Sequence, residues 1–260
     1  MGSAALAVPQ RIISGIPSVT EMLFALDLGD RVVGVTTNCN YPPEALKKEK
    51  VGGFFLNLEK VVSLKPDLVV MLEDAQKKEI ERFRNYGLPV FTINPRNIDE
   101  VMEGMLELGR KTGKEEKAKE IVEEMKKRLA GARPRFFGLE LLLRKHPRAL
   151  VIVGYEPLIV AGGGTFIDDV LKRAGVGNIA GREKVAYPQY SLEKIVQEDP
   201  PYIIIPKGLI DESKLRKDRR WRNIEAIRSG KILFIDPDVI SRPGPRVVEA
   251  VEAIAAFVYH

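Results

Sequence analysis

Histidine and cysteine are nearly missing from this 260-residue chain: Cys39 is the one cysteine, and His146 and His260 are the two histidines. One cysteine forms no internal disulfide and leaves the redox compartment unread. Zinc sites, Ser-His-Asp triads and Cys-His dyads draw on histidine or on several cysteines. The common metalloenzyme and hydrolase classes are therefore nearly excluded, and Cys39, with no base motif beside it, is not expected to act as a nucleophile. Long apolar runs are lacking too; none approaches the ~18 residues of a membrane span. Nor is there a strong excess of one charge. Lys+Arg 41 against Asp+Glu 36 gives +5 with the signs interspersed, which argues against a nucleic-acid partner. Lys214–Arg222 holds six basic residues in nine around Trp221, but a nucleic-acid face needs more than one such run. It reads as a solvated helix face, with Trp221 in the core.

What is present suits a folded α/β protein. The apolar fraction of 45% can fill a core. Short Val- and Ile-rich runs at Arg11–Ser14, Val32–Thr36, Leu68–Met71, Val90–Ile93, Ala149–Val153, Tyr202–Ile205 and Ile232–Ile235 alternate with helical patterns. The predicted helices include Thr20–Leu26, Leu58–Leu64, Ala75–Tyr86, Ile98–Thr112, Phe166–Ala174, Leu192–Gln197 and Arg246–Phe257. Such alternation points to parallel sheets.

An internal repeat sharpens the picture. Leu58-Glu59-Lys60-Val61-Val62 with Pro66 and Leu68-Val69-Val70 returns 134 residues later as Leu192-Glu193-Lys194-Ile195-Val196 with Pro200 and Tyr202-Ile203-Ile204. Leu28-Gly29-Asp30 matches Val176-Gly177-Asn178, and Val90–Pro95 matches Ile232–Pro237, in the same order. Two halves of like topology follow: a lobe over residues 1–112, a connector over 113–147 and a lobe over 148–260. Within the connector, Glu115–Leu129 carries Ile121, Met125 and Leu129 at four-residue spacing, a helix with a narrow apolar stripe. Gly131 and Pro134 are expected to stop or kink it, and Phe136–Lys145 is expected to add a helical piece before the second lobe.

Several motifs compete with plainer readings. Gly175-Val176-Gly177-Asn178-Ile179-Ala180 fits a dinucleotide pattern on paper but follows a helix, so it reads as a C-terminal turn. Gly162-Gly163-Gly164-Thr165 follows a strand-like run and precedes a helix. Thr165 with Asp168, and Ser18 with Glu21, form expected capping boxes. The glycine turn either offers backbone N–H groups to a ligand, which makes Gly163 a candidate contact, or is only a tight turn. Phe54, Phe55, Tyr155, Phe166, Tyr187 and Tyr190 fall near loops, which suggests a flat or bulky ligand. Glu59 and Glu193 follow the N-cap residues Asn57 and Ser191, where acids complement a helix dipole.

Tyr41-Pro42-Pro43, Asn57-Leu58-Glu59-Lys60-Val61-Val62, Leu64–Val70, Tyr187-Pro188-Gln189-Tyr190-Ser191-Leu192-Glu193 and Arg242-Pro243-Gly244-Pro245-Arg246 together resemble the solute-binding proteins of ABC importers for metal chelates. The resemblance covers about residues 10–258 and is closest to the cobalamin-binding members. It implies two Rossmann-like α/β lobes joined by a single long connecting helix, with a ligand cleft between the lobes. It also implies one glutamate per lobe, Glu59 and Glu193, docking on arginines of the ABC permease membrane subunits. Phe54 and Tyr187 match aromatic ligand contacts and Arg242 a cleft arginine; Asn38, Leu72 and Ile159 stand where that group carries other aromatics. The connector is longer than usual around Gly131–Gly138. Related binders of bare zinc or manganese use His-rich sites, which this chain lacks.

The resulting expectation is a monomeric, non-catalytic binding protein, periplasmic or at the cell surface. Its partner is a small-molecule metal chelate of corrinoid, ferric-siderophore or haem type, with no resident metal or other cofactor and no nucleic acid. The proposed ligand contacts are Phe54, Tyr155, Gly163, Tyr187 and Arg242. The start Met1-Gly2-Ser3-Ala4-Ala5-Leu6-Ala7-Val8 lacks signal-peptide character, so a native leader or lipid anchor is expected to be missing from this sequence. The rival expectations are a cytosolic chelate-handling protein or enzyme on the same two-lobed fold, and a structural or sensory module without a small ligand.

Overall fold

The apolar runs become strands covered on both faces, the usual state of parallel sheets. The computed structural model describes residues 8–132 and 147–259. The chain divides into two compact units, Met1–Glu124 with Pro243–Pro245 and Met125–Arg242 with Arg246–His260.

The first unit contains β1 (Ile12–Ser14), α1 (Pro17–Ala25), β2 (Val32–Val35), β3 (Glu49–Lys50), α2 (Leu58–Ser63), β4 (Leu68–Leu72), α3 (Lys77–Asn85), β5 (Val90–Ile93) and α4 (Ile98–Thr112). Its sheet runs β3-β2-β1-β4-β5, every neighbouring pair parallel. Ile13, Val51, Val61, Val69, Met71, Ile80 and Phe83 form one core against it, all buried. Helix α5 (Glu115–Ala132) runs through the division between the units.

The second unit contains β6 (Arg148–Tyr155), β7 (Leu158–Val160), α6 (Phe166–Arg173), β8 (Gly177–Asn178), α7 (Leu192–Glu198), β9 (Tyr202–Pro206), α8 (Glu212–Lys217), α9 (Glu225–Arg228), β10 (Ile232–Ile235), α10 (Pro237–Ser241) and α11 (Val247–Tyr259). β10-β9-β6 is parallel, β7 pairs antiparallel with β6, and β8 pairs parallel with the start of β6. The repeat is thus structural: β8-β6-β9-β10 matches β2-β1-β4-β5 in order and direction. Trp221 is 2% exposed and packs in this unit's core with Leu150, Ile203 and Ile205. The basic run around it is part helix, ending at Lys217, and part turn.

Three sequence expectations need correction. Ser18 does not cap α1: the N-cap is Ile16, Pro17 fixes the first helical turn, and the Ser18 hydroxyl is buried without a partner. Gly131 does not stop α5, which continues to Ala132. The buried stripe of α5 is Ala118, Val122, Met125 and Leu129, with Ile121 only half-buried, because one face of a 3.6-residue helix follows mixed three- and four-residue steps. Pro134, the Phe136–Lys145 piece and most of the extra connector length lie outside the described residues.

Candidate functional site

In parallel sheets, ligands meet the loops that follow the carboxyl ends of the strands. In the first unit such a loop follows β3. The chain turns through Gly52, whose φ of +131° and whose missing Cβ, which would stand 2.5 Å from the Phe55 carbonyl oxygen, both require glycine. It then presents Phe54 and Phe55, 49% and 74% exposed, packed edge to face at 5.3 Å. Two buried residues, at and just after the start of α3, hold this loop. Gln76 Nε2 donates to the carbonyls of Phe54 (3.2 Å) and Gly15 (3.1 Å), so it ties the loop to the end of β1. The backbone N–H of Leu56 donates to Glu79 Oε1 at 2.9 Å, and Glu79 Oε2 is buried without a partner. Burial pushes the Glu79 carboxyl above its ordinary value, against the opposing Leu56 hydrogen bond.

Sequence reasoning missed Gln76 and Glu79. The loop and strand-end carbonyls and N–H that they hold lie more than twenty residues away, and the available signal was only that Glu79 and Ile80 fall on the buried side of an otherwise charged helix.

In the second unit the segment carrying Tyr187 lies along β7. Val160 N–H donates to Pro188 O (3.1 Å), Gly162 N–H to Ala186 O (2.8 Å) and Tyr190 N–H to Leu158 O (2.9 Å). The glycines of the Gly162–Thr165 turn make room for that segment: a Cβ on Gly162 would lie 2.5 Å from Val185 O, and one on Gly163 2.1 Å from Gly181 O. Two of the turn's N–H groups are already used, Gly162 on Ala186 and Gly164 on Asp168 Oδ2 at 3.0 Å. Thr165 Oγ1 accepts from Asp168 N–H at 3.1 Å, so this capping box is present. Burial of Asp168 works to raise its carboxyl, but the Lys172 ammonium, the Gly164 N–H and the Asn178 amide outweigh it and the net shift is downward. The N–H groups of Gly162 and Gly164 are thus satisfied within the protein.

Glu183 anchors the Tyr187 segment from the other side. Its Oε1 accepts from Tyr190 Oη at 2.9 Å and from Lys194 Nζ at 2.6 Å, and Lys194 also lies 4.0 Å from the centre of the Tyr190 ring. Tyr190 is core, 3% exposed, and Tyr155 packs beside Trp221 at 6.3 Å. Tyr187 stays 51% exposed on its anchored segment, and what burial it has pushes its phenol up. It borders a cavity of about 390 Å³ whose lining includes Val153, Ile167, Lys207, Leu209 and Ile240. Lys207 follows β9, and Pro237, also in the lining, follows β10, so this cavity sits at the strands' carboxyl ends. Arg242 ends α10 with its guanidinium 2.8 Å from Asp238.

Glu59 and Glu193 occupy the second position of α2 and α7. Asn57 Oδ1 accepts from Lys60 N–H at 3.0 Å and Ser191 Oγ from Lys194 N–H at 3.2 Å, matching caps in matching places. Both glutamates are exposed. The Glu193 carboxyl is held below its usual value by its own backbone N–H and the Ser191 hydroxyl. Cys39 is buried, with Thr20 Oγ1 at 3.0 Å and Thr36 Oγ1 at 3.1 Å, so it is a packed residue of the first unit. Among the described residues no group of three or more His, Cys, Asp or Glu is arranged to hold a metal ion, and no helix is long and apolar enough to cross a membrane.

Two like α/β units, each with an exposed aromatic on a braced loop, define a protein built to bind a ligand. Residues 12–239 match the model of the periplasmic binding protein family, and the chain belongs to that family. It is 34% identical over 258 residues to the uncharacterized ABC transporter substrate-binding lipoprotein YvrC of Bacillus subtilis, covering 96% of this chain and 80% of that protein. The crystal structure of the periplasmic vitamin B12 binding protein BtuF of Vibrio cholerae matches with a TM-score of 0.81 at 26% identity, covering 96% of each chain. The periplasmic haem-binding protein RhuT of Roseiflexus matches with a TM-score of 0.81 at 25% identity, covering 96% of this chain and 99% of that one. The chain is accordingly an extracytoplasmic substrate-binding protein of the ABC-transporter type, a binding class and not an enzyme.

Proposed function

We propose that this protein captures a metal chelate of corrinoid, haem or ferric-siderophore type and hands it to the membrane subunits of an ABC importer. The observation that carries this reading is the pairing of exposure with rigidity at Phe54 and Tyr187: each is about half exposed, and each sits on a segment fixed by several long-range hydrogen bonds. An exposed aromatic costs little to order on binding when its loop is already held. In this reading Phe54 and Tyr187 are the aromatic ligand contacts, and Arg242, Gly163 and Tyr155 are further contacts. Relatives that bind vitamin B12 or haem support the ligand class. The native chain is tethered or secreted outside the cytoplasmic membrane and works as a monomer.

The test is an absorbance titration with cyanocobalamin, haem and ferric siderophores separately, repeated on a Phe54→Ala/Tyr187→Ala double variant. Loss of stacking at ~0.5–1.5 kcal/mol per face weakens binding about 5- to 150-fold in the double variant, with the thermal midpoint changed little because both rings are exposed. Unchanged affinity in the double variant would move the site elsewhere.

A further inference from the structure

The cavity beside Tyr187 has an imbalance that the stacking reading leaves unused. Its lining is mostly apolar, from Val153, Ile167, Leu209 and Ile240, and among the described residues Lys207 is its one charged member. The Lys207 backbone is fixed by its N–H donating to Ile235 O at 2.7 Å, at the junction of β9 and β10. Its side chain is exposed and makes no ion pair or hydrogen bond with any described residue. The cation at the end of the adjoining helix already has a carboxylate partner, Arg242 lying 2.8 Å from Asp238. Ser241, the remaining polar lining side chain besides Tyr187, already donates to Pro237 O at 2.5 Å. The cavity is thus an apolar bowl with one uncompensated positive charge.

We infer that Lys207 receives an anionic group on the ligand, so that the substrate is a chelate with a bulky apolar body and at least one pendant carboxylate. This rests on the chelate-binding reading and narrows it. An ammonium on a flexible stem can reach a peripheral acid while its methylenes cover the apolar wall. Apolar surroundings strengthen the charge-assisted bond relative to one in open water. A few polar groups in an apolar pocket are what orient a ligand. Here the aromatic surface carries the body and Lys207 fixes which edge enters.

The experiment compares iron protoporphyrin IX, its dimethyl ester, cyanocobalamin and a ferric carboxylate-type siderophore by equilibrium titration. It uses the wild-type chain, Lys207→Met and Lys207→Arg. The expected result is that carboxylate-bearing probes bind the wild type more tightly than matched carboxylate-free ones, by about tenfold, the size of one charge-assisted hydrogen bond. Lys207→Met erases that preference and leaves the affinity for the ester unchanged, while Lys207→Arg keeps it. Raising salt narrows the gap for the wild type but not for Lys207→Met. Equal binding of acid and ester by the wild type, or a preference that survives in Lys207→Met, overturns the role of Lys207 and leaves chelate binding standing. Binding of none of the four probes overturns the chelate reading itself, and the inference with it.

Discussion

Glu79 shows how a single buried charge can serve a loop. Its carboxylate accepts the Leu56 N–H that follows the exposed Phe54 and Phe55, yet its second oxygen is buried without a partner. Desolvation therefore raises its folded pKa above the ordinary 4.5. Between that value and the raised one, the native state keeps a proton that the unfolded chain has released. Stability due to this group consequently falls as pH rises through the interval. Glu252 behaves oppositely: Arg128 binds it with two hydrogen bonds at 2.9 and 2.6 Å and lowers its pKa, so its contribution is present above 4.5 and is lost as pH falls through the folded value. Urea midpoints measured from pH 4 to pH 8 are expected to decline less with pH in Glu79→Gln than in the wild type, because the amide oxygen still accepts from Leu56 without a charge to desolvate. Identical pH slopes in the two proteins would show that Glu79 is not the group responsible.

Elements divide into those set by local pattern and those set by distant partners. Strands β1, β2, β4, β5, β6, β9 and β10, and most of the helices, were readable because an apolar run bounded by turn residues is a local signal. The caps at Asn57, Thr165 and Ser191 were readable for the same reason. β7 was legible only as the strand-like run before Gly162: its hairpin with β6 is local, but its pairing with the Tyr187 segment depends on residues some thirty positions along the chain. The braces Gln76, Glu79 and Glu183 were hidden likewise, and so was Lys207, whose importance lies in what surrounds it. The glycine turn shows the limit most clearly. Its composition fits a ligand-binding turn, whereas packing against Gly181 explains Gly163. Alanine therefore has opposite effects at two glycines. Gly163→Ala forces a Cβ to 2.1 Å from Gly181 O and is expected to cost about 1–3 kcal/mol. Gly131→Ala, with open space around it in α5, is expected to gain up to about 0.5–1 kcal/mol. Chemical unfolding of both variants decides it; equal effects would refute the packing role.

At the scale of the whole molecule, the repeat gives each unit the same surface helix start. α2 and α7 precede β4 and β9, strands in equivalent sheet positions, and each begins with a capped turn bearing an exposed glutamate. The docking role that the family resemblance implies for Glu59 and Glu193 assigns one carboxylate of each unit to the membrane subunits of the importer. Exposed ion pairs of this kind add little affinity individually but guide encounter and fix orientation. Glu193 is not among the described residues that line the Lys207 cavity, and the caps that start both helices come from Asn57 and Ser191. Glu59→Lys/Glu193→Lys is therefore expected to fold, to bind its chelate with unchanged affinity and to lose importer-coupled uptake, with each single variant intermediate. Ligand titration and uptake into vesicles carrying the importer, run side by side, separate the possibilities. Full uptake by the double variant would remove the docking role, whereas a loss of ligand affinity would place the two glutamates in the binding site.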